Sequence, residues 1–83
     1  MYSITVSPKA SKELKAIKKV HRKALKQALE EIAENPFEGK PLSRELMGRF
    51  SFRVGVYRII YTINSQDKMI DIITAGHRGV VYR

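Results

Sequence analysis

Hydrophobic and polar residues alternate at the beginning of the chain and through most of its second half. In residues 2 to 6, Tyr2, Ile4 and Val6 alternate with polar residues, which predicts a strand with one buried face. Four later segments are predicted as strands, the first of them only weakly: residues 42 to 47, 49 to 54, 57 to 63 and 69 to 75. Gly55-Val56 and segment 64–67 predict turns, so the last three strands should form an antiparallel meander.

Apolar residues recur at helical spacing between the first strand and these later ones. Ser7-Pro8 supplies an N-cap followed by proline at the first helical position, which predicts a helix from Pro8 to Lys19. Val20-His21 interrupts the pattern, and a broader apolar stripe then predicts a second helix that ends at Asn35-Pro36. The short link between the helices indicates an antiparallel helical hairpin.

The order of these elements predicts one α+β domain that spans residues 1–83. The chain is too short for a second core, because domains usually need about 100 residues. The segment from Asn35 to Pro41 holds two prolines and one glycine, which is typical of a crossing loop. We expect an N-terminal strand, a helical hairpin and a three- or four-stranded antiparallel meander, with the helices on one sheet face.

Composition excludes several classes of function. The chain has no cysteine, which removes disulfides, thiolate metal sites and cysteine nucleophiles. No apolar run approaches the ~20 residues of a membrane helix, and the N-terminus does not resemble a secretory signal. We therefore expect a cytoplasmic protein with no membrane partner. The sequence also lacks a glycine-rich phosphate loop, an HExxH motif and any cluster with metal-ligand spacing, so we expect no metal and no other cofactor.

The charge of the chain indicates an anionic partner. Sixteen basic and eight acidic residues give a net charge of +8. Eight of the nine lysines precede Pro41, whereas six of the seven arginines follow it. Because the guanidinium fork grips phosphate oxygens from two directions, whereas a lysine is a hydrated point charge, the functional surface is predicted in the second half.

Arginine side chains are predicted to gather on the sheet face that the helices leave uncovered. Arg49, Ser51 and Arg53 share one side of their strand, Arg58 begins the next strand, and Arg78 follows the last one. Guanidinium groups near one point repel one another unless a phosphate or carboxylate neutralises them, which favours an anion-binding site. The alternative is a set of separate solvated arginines, and spacing alone does not decide between the two.

The densest group of titratable residues lies at the C-terminus: His77, Arg78, Tyr82 and Arg83. Histidine can transfer a proton near neutral pH, and a tyrosine beside arginines can act as a base or stack on a nucleobase. The structural alternatives are a strand-end histidine bonded to backbone and a terminal aromatic residue packed over the sheet. We assign His21 to a structural or solvent-facing position at the inter-helix turn, and Tyr57 and Tyr61 to the core.

These residue types suit one reaction class, the attack of a ribose 2′-hydroxyl on its own phosphodiester. Arginines can stabilise the pentacoordinate dianion, and histidine or tyrosine can handle the protons, without a metal. Acidic residues after Pro41 are only Glu45, Asp67 and Asp71, which gives paired-carboxylate catalysis little support.

The second half of the chain resembles the RelE/ParE toxin superfamily. The resemblance rests on the pattern L-x-G-x-x-x-x-R-V-G-x-Y-R-I-I-Y, formed here by Leu46, Gly48, Arg53, Val54, Gly55, Tyr57, Arg58, Ile59, Ile60 and Tyr61. A second motif follows after one hairpin and consists of Gly76, His77, Arg78, Val81 and Tyr82. The N-terminal strand and helical hairpin fit as well, so the resemblance covers nearly the whole chain.

The resemblance implies a type II toxin that cuts mRNA in the ribosomal A site without metal and leaves a cyclic phosphate. By position, Arg58 and Arg78 match the phosphate-stabilising arginines and Tyr82 matches the C-terminal base or stacking residue. Arg53 matches a further basic strand position. Two catalytic lysines of RelE are replaced here by Arg49 and Ser51, and the serine removes one candidate proton carrier, a role that the imidazole of His77 can share.

The resemblance also implies partners and leaves two other functions open. A toxin of this kind pairs with an acidic antitoxin in a hetero-oligomer and acts on the ribosome and mRNA. ParE-like members of the superfamily poison DNA gyrase on the same fold, and a catalytically silent RNA-binding translation inhibitor is the third possibility. The retained basic residues and Tyr82 favour the nuclease.

Overall fold

A computed structural model of the chain describes residues 1–77. Its helices and strands are β1 (Ser3–Val6), α1 (Pro8–Ala16), α2 (Lys19–Glu34), β2 (Lys40–Pro41), β3 (Arg49–Val54), β4 (Tyr57–Asn64) and β5 (Met69–His77). These strands form one sheet in the order β1-β5-β4-β3-β2, in which β1 runs parallel to β5 and every other pair is antiparallel. The predicted α+β fold is confirmed.

Both helices pack on one face of the sheet and bury the core there. Alternating residues of the central strands, such as Ile59 and Tyr61, meet the apolar stripe of α2. The buried core residues are Ala10, Ile17, Leu25, Ala28, Ile32, Ile59, Tyr61, Ile70, Ile72 and Ala75. The opposite side of the sheet, here called the open face, carries the other alternating set, which includes Arg53 and Arg58. Neither helix within residues 1–77 is long and apolar enough to cross a membrane.

The boundary between the helices differs from the prediction. Helix α1 ends at Ala16, and α2 already begins at Lys19, so Val20 and His21 lie in its first turn. The chain turns at Ile17, which is extended, and its side chain is buried. Arg22 donates hydrogen bonds to the carbonyl oxygens of Lys15 at 2.9 Å and Ile17 at 3.1 Å. These bonds satisfy carbonyls at the end of α1 and fix the turn.

The weak strand predicted at residues 42 to 47 is wrong. A two-residue strand lies earlier, at Lys40–Pro41, and Arg44–Leu46 forms a 3-10 helix. Arg44 has φ +58°, a left-handed conformation that a strand does not allow. The parallel pairing of β1 with β5 was also not predicted, because it joins segments more than sixty residues apart and leaves no local pattern.

Candidate nucleic-acid interface

Two arginines lie side by side on the open face. The two-residue turn at Gly55 and Val56 sets the register of the hairpin, and this register places Arg53 of β3 directly opposite Arg58 of β4. Side chains opposed in this way have Cβ atoms about 4.5–5.5 Å apart, and like charges there are destabilising. The next residue in the same row is Gly76 of β5, which has no side chain to fill the space beside Arg58. The sheet therefore holds two positive charges together at its surface.

The two arginines differ in burial. Arg53 is exposed, whereas Arg58 is half-buried and its Nε atom is closed to solvent. Burial of the stem limits the rotamers of Arg58 and directs its guanidinium group more firmly than that of Arg53. Arg58 thus has the character of a positioned donor, and Arg53 that of a surface charge.

A buried row separates this pair from the third predicted arginine. Ser51, Ile60 and Thr74 lie next to one another across three strands of the open face, and they are only 5%, 2% and 5% exposed. Ser51 was predicted to line a surface that contacts RNA. The structure places it on the predicted face, but its burial argues against direct contact with a ligand.

Arg49 lies on the open face beyond that buried row. It lies four positions before Arg53 along β3, which corresponds to about 13 Å. Arg49 is half-buried and shares a row with Thr62 and Asp71. The carboxylate of Asp71 accepts a hydrogen bond from Thr5 on the edge strand. Arg49 therefore lies on the same face as Arg53 and Arg58 but apart from that pair.

A β-bulge in β5 places His77 on the helix side of the sheet. The register shifts between Ile60 and Tyr61, so Ile73 is an extra residue and every later side chain of β5 changes face. His77 consequently pairs with Tyr57, and the two rings meet in a T-shaped contact with centroids 6.3 Å apart. His77 therefore does not lie in the row of Arg53 and Arg58, and its catalytic role stays a prediction.

His21 belongs to the same aromatic group. Its ring also makes a T-shaped contact with Tyr57, with centroids 5.2 Å apart. The group of His21, Tyr57 and His77 joins α2 to the ends of β4 and β5. This agrees with a structural role for His21 and shows that Tyr57 is half-buried against the core.

Tyr61 is a core residue, as predicted. It is fully buried and donates a hydrogen bond to the carbonyl oxygen of Pro36 at 2.6 Å. Burial raises the pKa of Tyr61 to about 12, so the hydroxyl stays protonated near neutral pH. Gly39 packs against this ring, and a side chain at that position would overlap the hydroxyl. Tyr61 is thus unsuited to act as a base.

Glu13 is a site-supporting residue that sequence reasoning missed. Its Oε1 atom accepts hydrogen bonds from the hydroxyl of Thr74 at 2.7 Å and from the amide of Ala75 at 3.2 Å. It therefore occupies the edge of β5 just past the end of β1, next to the bulge and the strand end. A glutamate among lysines on a surface helix gives no sequence signal for this role.

Three predicted site residues, Arg78, Tyr82 and Arg83, lie outside the described residues. Their roles therefore stay predictions. Of the other candidates, the structure brings Arg53 and Arg58 together, places Arg49 farther along the same face, and separates His77 from them.

The fold and the open face define a small α+β protein with a basic sheet surface, and comparisons with known proteins identify its family. A family model described as the ParE toxin of type II toxin-antitoxin system, parDE, matches residues 4–82. The chain therefore belongs to the ParE toxin family of type II toxin-antitoxin systems, within the RelE/ParE superfamily, as the sequence motifs predicted.

Curated relatives and a solved structure support the same family. Toxin RelG of Mycobacterium tuberculosis is 40% identical over 57 residues, which cover 68% of this chain and 66% of RelG. Toxin RelE of the same organism is 29% identical over 84 residues, which cover 99% of this chain and 87% of that toxin. A chain of the toxin-antitoxin complex RelBE2 from Mycobacterium tuberculosis superimposes with a TM-score of 0.85 at 32% identity and covers 93% of this chain and 98% of its own length.

Proposed function

We propose that this toxin is a ribosome-dependent endoribonuclease that cuts mRNA in the A site. The observation that carries the proposal is the Arg53–Arg58 pair, in which two like charges are opposed on the sheet face away from the helices. A phosphate between the guanidinium groups would remove their repulsion and receive forked hydrogen bonds. The proposed site of action is the cytoplasm, where message is translated.

In the proposed reaction the reacting groups come from the RNA and from side chains of the protein. The 2′-oxygen of a ribose attacks the adjacent phosphorus and loses its proton, the bond from phosphorus to the 5′-oxygen breaks, and the leaving oxygen gains a proton. The products are a 2′,3′-cyclic phosphate and a 5′-hydroxyl. Arg58 and Arg78 stabilise the dianionic phosphorane, and Tyr82 acts as a base or stacks on a base.

Other basic residues hold the RNA strand in this proposal. Arg49 and Arg53 contact flanking phosphates, and Arg83 adds a further charge near Tyr82. The position of His77 beside Tyr57 supports a positioning role for it, because this contact holds the end of β5 from which Arg78 follows in the chain.

The ribosome dependence follows from the scarcity of acid and base groups. Ser51 stands where the family has a lysine, and the serine side chain is buried. Arginines alone stabilise charge but do not align the 2′-hydroxyl, so we expect free RNA to be cut poorly. The ribosome supplies the alignment, and orientation effects can reach about 7 kcal/mol or more.

The proposed partner in the resting cell is an acidic antitoxin, partly disordered on its own, in a hetero-oligomeric complex. The chain carries a net charge of +8, and the similar RelBE2 structure is a toxin-antitoxin complex. A segment of the antitoxin that folds against this domain would neutralise or displace its basic site. This part of the proposal would be contradicted if co-expression of the acidic protein encoded by a neighbouring gene did not relieve the toxicity.

A ParE-like poison of DNA gyrase is the second candidate, because the matching family model is described as a ParE toxin. The two functions differ in product. Purified protein is added to a translating extract that also contains gyrase and supercoiled DNA, and Arg58→Ala is the control. If the protein is a nuclease, the mRNA should be cut by the parent but not by Arg58→Ala. If it is a gyrase poison, the DNA should be broken while the mRNA stays intact. Inhibited translation with both polymers intact would indicate a silent RNA binder.

A further inference from the structure

The helical layer carries a dense basic surface that the proposed catalytic site does not use. Eight cationic side chains in α1, the turn and the first half of α2 are all exposed, and together they are called the helical lysine surface: Lys9, Lys12, Lys15, Lys18, Lys19, Arg22, Lys23 and Lys26. They lie on the helix side of the sheet, away from Arg53 and Arg58. The protein therefore has two basic surfaces that face in different directions.

This surface has almost no internal counter-charge. Glu13 is the single carboxylate between residues 8 and 26, and it is bound to Thr74 and Ala75 at the edge of β5. Lys9 and Lys12 are three residues apart on α1, as are Lys23 and Lys26 on α2. Like charges at this spacing destabilise a helix. The repulsion within the surface is thus left for a partner to neutralise.

The charges of α2 also oppose the helix dipole. Its N-cap is Lys18, which makes no side-chain capping bond, and its first turn contains no acidic residue. Its glutamates, Glu30, Glu31 and Glu34, lie instead in the second half, and no basic residue occupies the last turn. Anionic side chains stabilise N-termini and cationic ones stabilise C-termini, so this order is the unfavourable one at both ends. When the charges at both ends of a helix oppose its dipole, as they do in α2, the sequence indicates a functional constraint.

We propose that the helical lysine surface docks on the phosphate backbone of double-helical RNA. Lysine is depleted in protein–protein interfaces, and seven of the eight cations here are lysines, which favours a phosphate backbone over an acidic protein. The single arginine, Arg22, is engaged in holding the end of α1. The choice of RNA rests on the proposed function, in which the open face holds the message while the helices contact structured RNA around it.

Binding to an uncleavable RNA separates docking from cutting. The probe is a labelled duplex of about 20 base pairs with every 2′-hydroxyl methylated, so the nucleophile is absent. Fluorescence anisotropy then measures affinity even if the protein is no nuclease. The test variant is Lys12→Gln/Lys23→Gln, one lysine from each helix. The matched control is Arg44→Gln/Lys68→Gln, which also removes two exposed positive charges, both from outside α1 and α2.

Counterion release sets the expected size of the effect. One lost phosphate contact lowers affinity about fivefold at 0.15 M salt, so the Lys12→Gln/Lys23→Gln variant should bind the duplex about 30-fold more weakly than the parent. The slope of log affinity against log salt should fall by about two in magnitude. The control pair should stay within about twofold of the parent, because distant charges are screened. Equal losses of affinity in the two double variants, or an unchanged affinity of Lys12→Gln/Lys23→Gln, would overturn the proposal.

Lys19→Glu tests the argument from the helix dipole. It places a carboxylate at the first residue of α2, so the melting temperature should rise by about 2–6 °C while the affinity for the duplex falls. A lower melting temperature would overturn the argument that Lys19 is unfavourable in the free protein. If the Lys12→Gln/Lys23→Gln variant lost affinity for an acidic peptide but kept its affinity for the duplex, this surface would be assigned to a protein partner instead.

Discussion

Replacement of Arg58 tests whether catalysis depends on a positioned donor or only on positive charge. Arg58 and Arg53 are opposed in one row of the sheet and carry the same charge, but Arg58 is half-buried with a closed Nε atom and Arg53 is exposed. Arg53→Ala is therefore a matched control for Arg58→Ala. Both variants remove one charge from the same pair, and either one should relieve about 0.2–1 kcal/mol of cross-strand repulsion.

The expected losses of activity differ in size. One preorganised donor to the developing charge is worth about 10²–10³ in rate, or about 2.7–4 kcal/mol, which is the loss expected for Arg58→Ala. Arg53→Ala removes the proposed surface contact to a flanking phosphate and should lower the rate by about fivefold at physiological salt. Arg58→Lys should restore only part of the activity, because an ammonium group cannot make the two-pronged contact.

The assay is cleavage of message on translating ribosomes at a fixed amount of folded protein. Thermal melting followed by circular dichroism checks folding, and both variants should melt within a few degrees of the parent. A folded Arg58→Ala protein that cut message like the parent would refute the assignment. So would an Arg53→Ala protein as inactive as Arg58→Ala, since charge alone would then explain the effect.

Three further predictions concern the residues around the site. Tyr61→Phe leaves the buried carbonyl of Pro36 without its donor and should destabilise the fold by about 1–3 kcal/mol in urea unfolding, with unchanged activity per folded molecule. Because the pKa of Tyr61 is raised from 10.0 to about 12, the native state favours the neutral phenol. This preference contributes about 3 kcal/mol to the free energy of unfolding below pH 10, and the contribution should be lost between pH 10 and about 12. The Tyr61→Phe variant should not show this loss. His77→Ala should lower cleavage less than Arg58→Ala, and His77→Phe, which keeps a ring against Tyr57, should recover most of it; equal inactivity of both would show that the imidazole itself is required.

The hairpin that carries the arginine pair was predictable because its signals are local. Strict alternation in residues 49 to 54 and the two-residue turn at Gly55 and Val56 specify both the strand and its register. The opposition of Arg53 and Arg58 then follows from counting back from the turn. Tyr61 was placed in the core by the same period.

The face of His77 was not predictable because it depends on one irregular residue. With strict alternation from Ile70 and Ile72 in the core, His77 would lie on the open face with Arg58. The bulge at Ile73 reverses this and places His77 beside Tyr57. Nothing in the sequence around Ile73 marks a bulge, since no glycine or proline adjoins it.

Long-range contacts account for the other differences. The pairing of β1 with β5 and the bonds from Glu13 to β5 join residues about sixty positions apart, and each depends on how the helices fold over the sheet. The burial of Ser51 likewise depends on the surroundings of its row rather than on its polarity. Such features follow from tertiary packing and leave no periodic pattern.

Mapping the 5′ ends of message from cells that express the toxin is the most direct test of the proposed function. Primer extension on transcripts of known reading frame locates each cut relative to the codon in the ribosomal A site. The account predicts new 5′-hydroxyl ends inside A-site codons, present with the parent and absent with Arg58→Ala. Intact message together with DNA breaks that depend on gyrase would contradict it and assign this member of the family to the gyrase poisons.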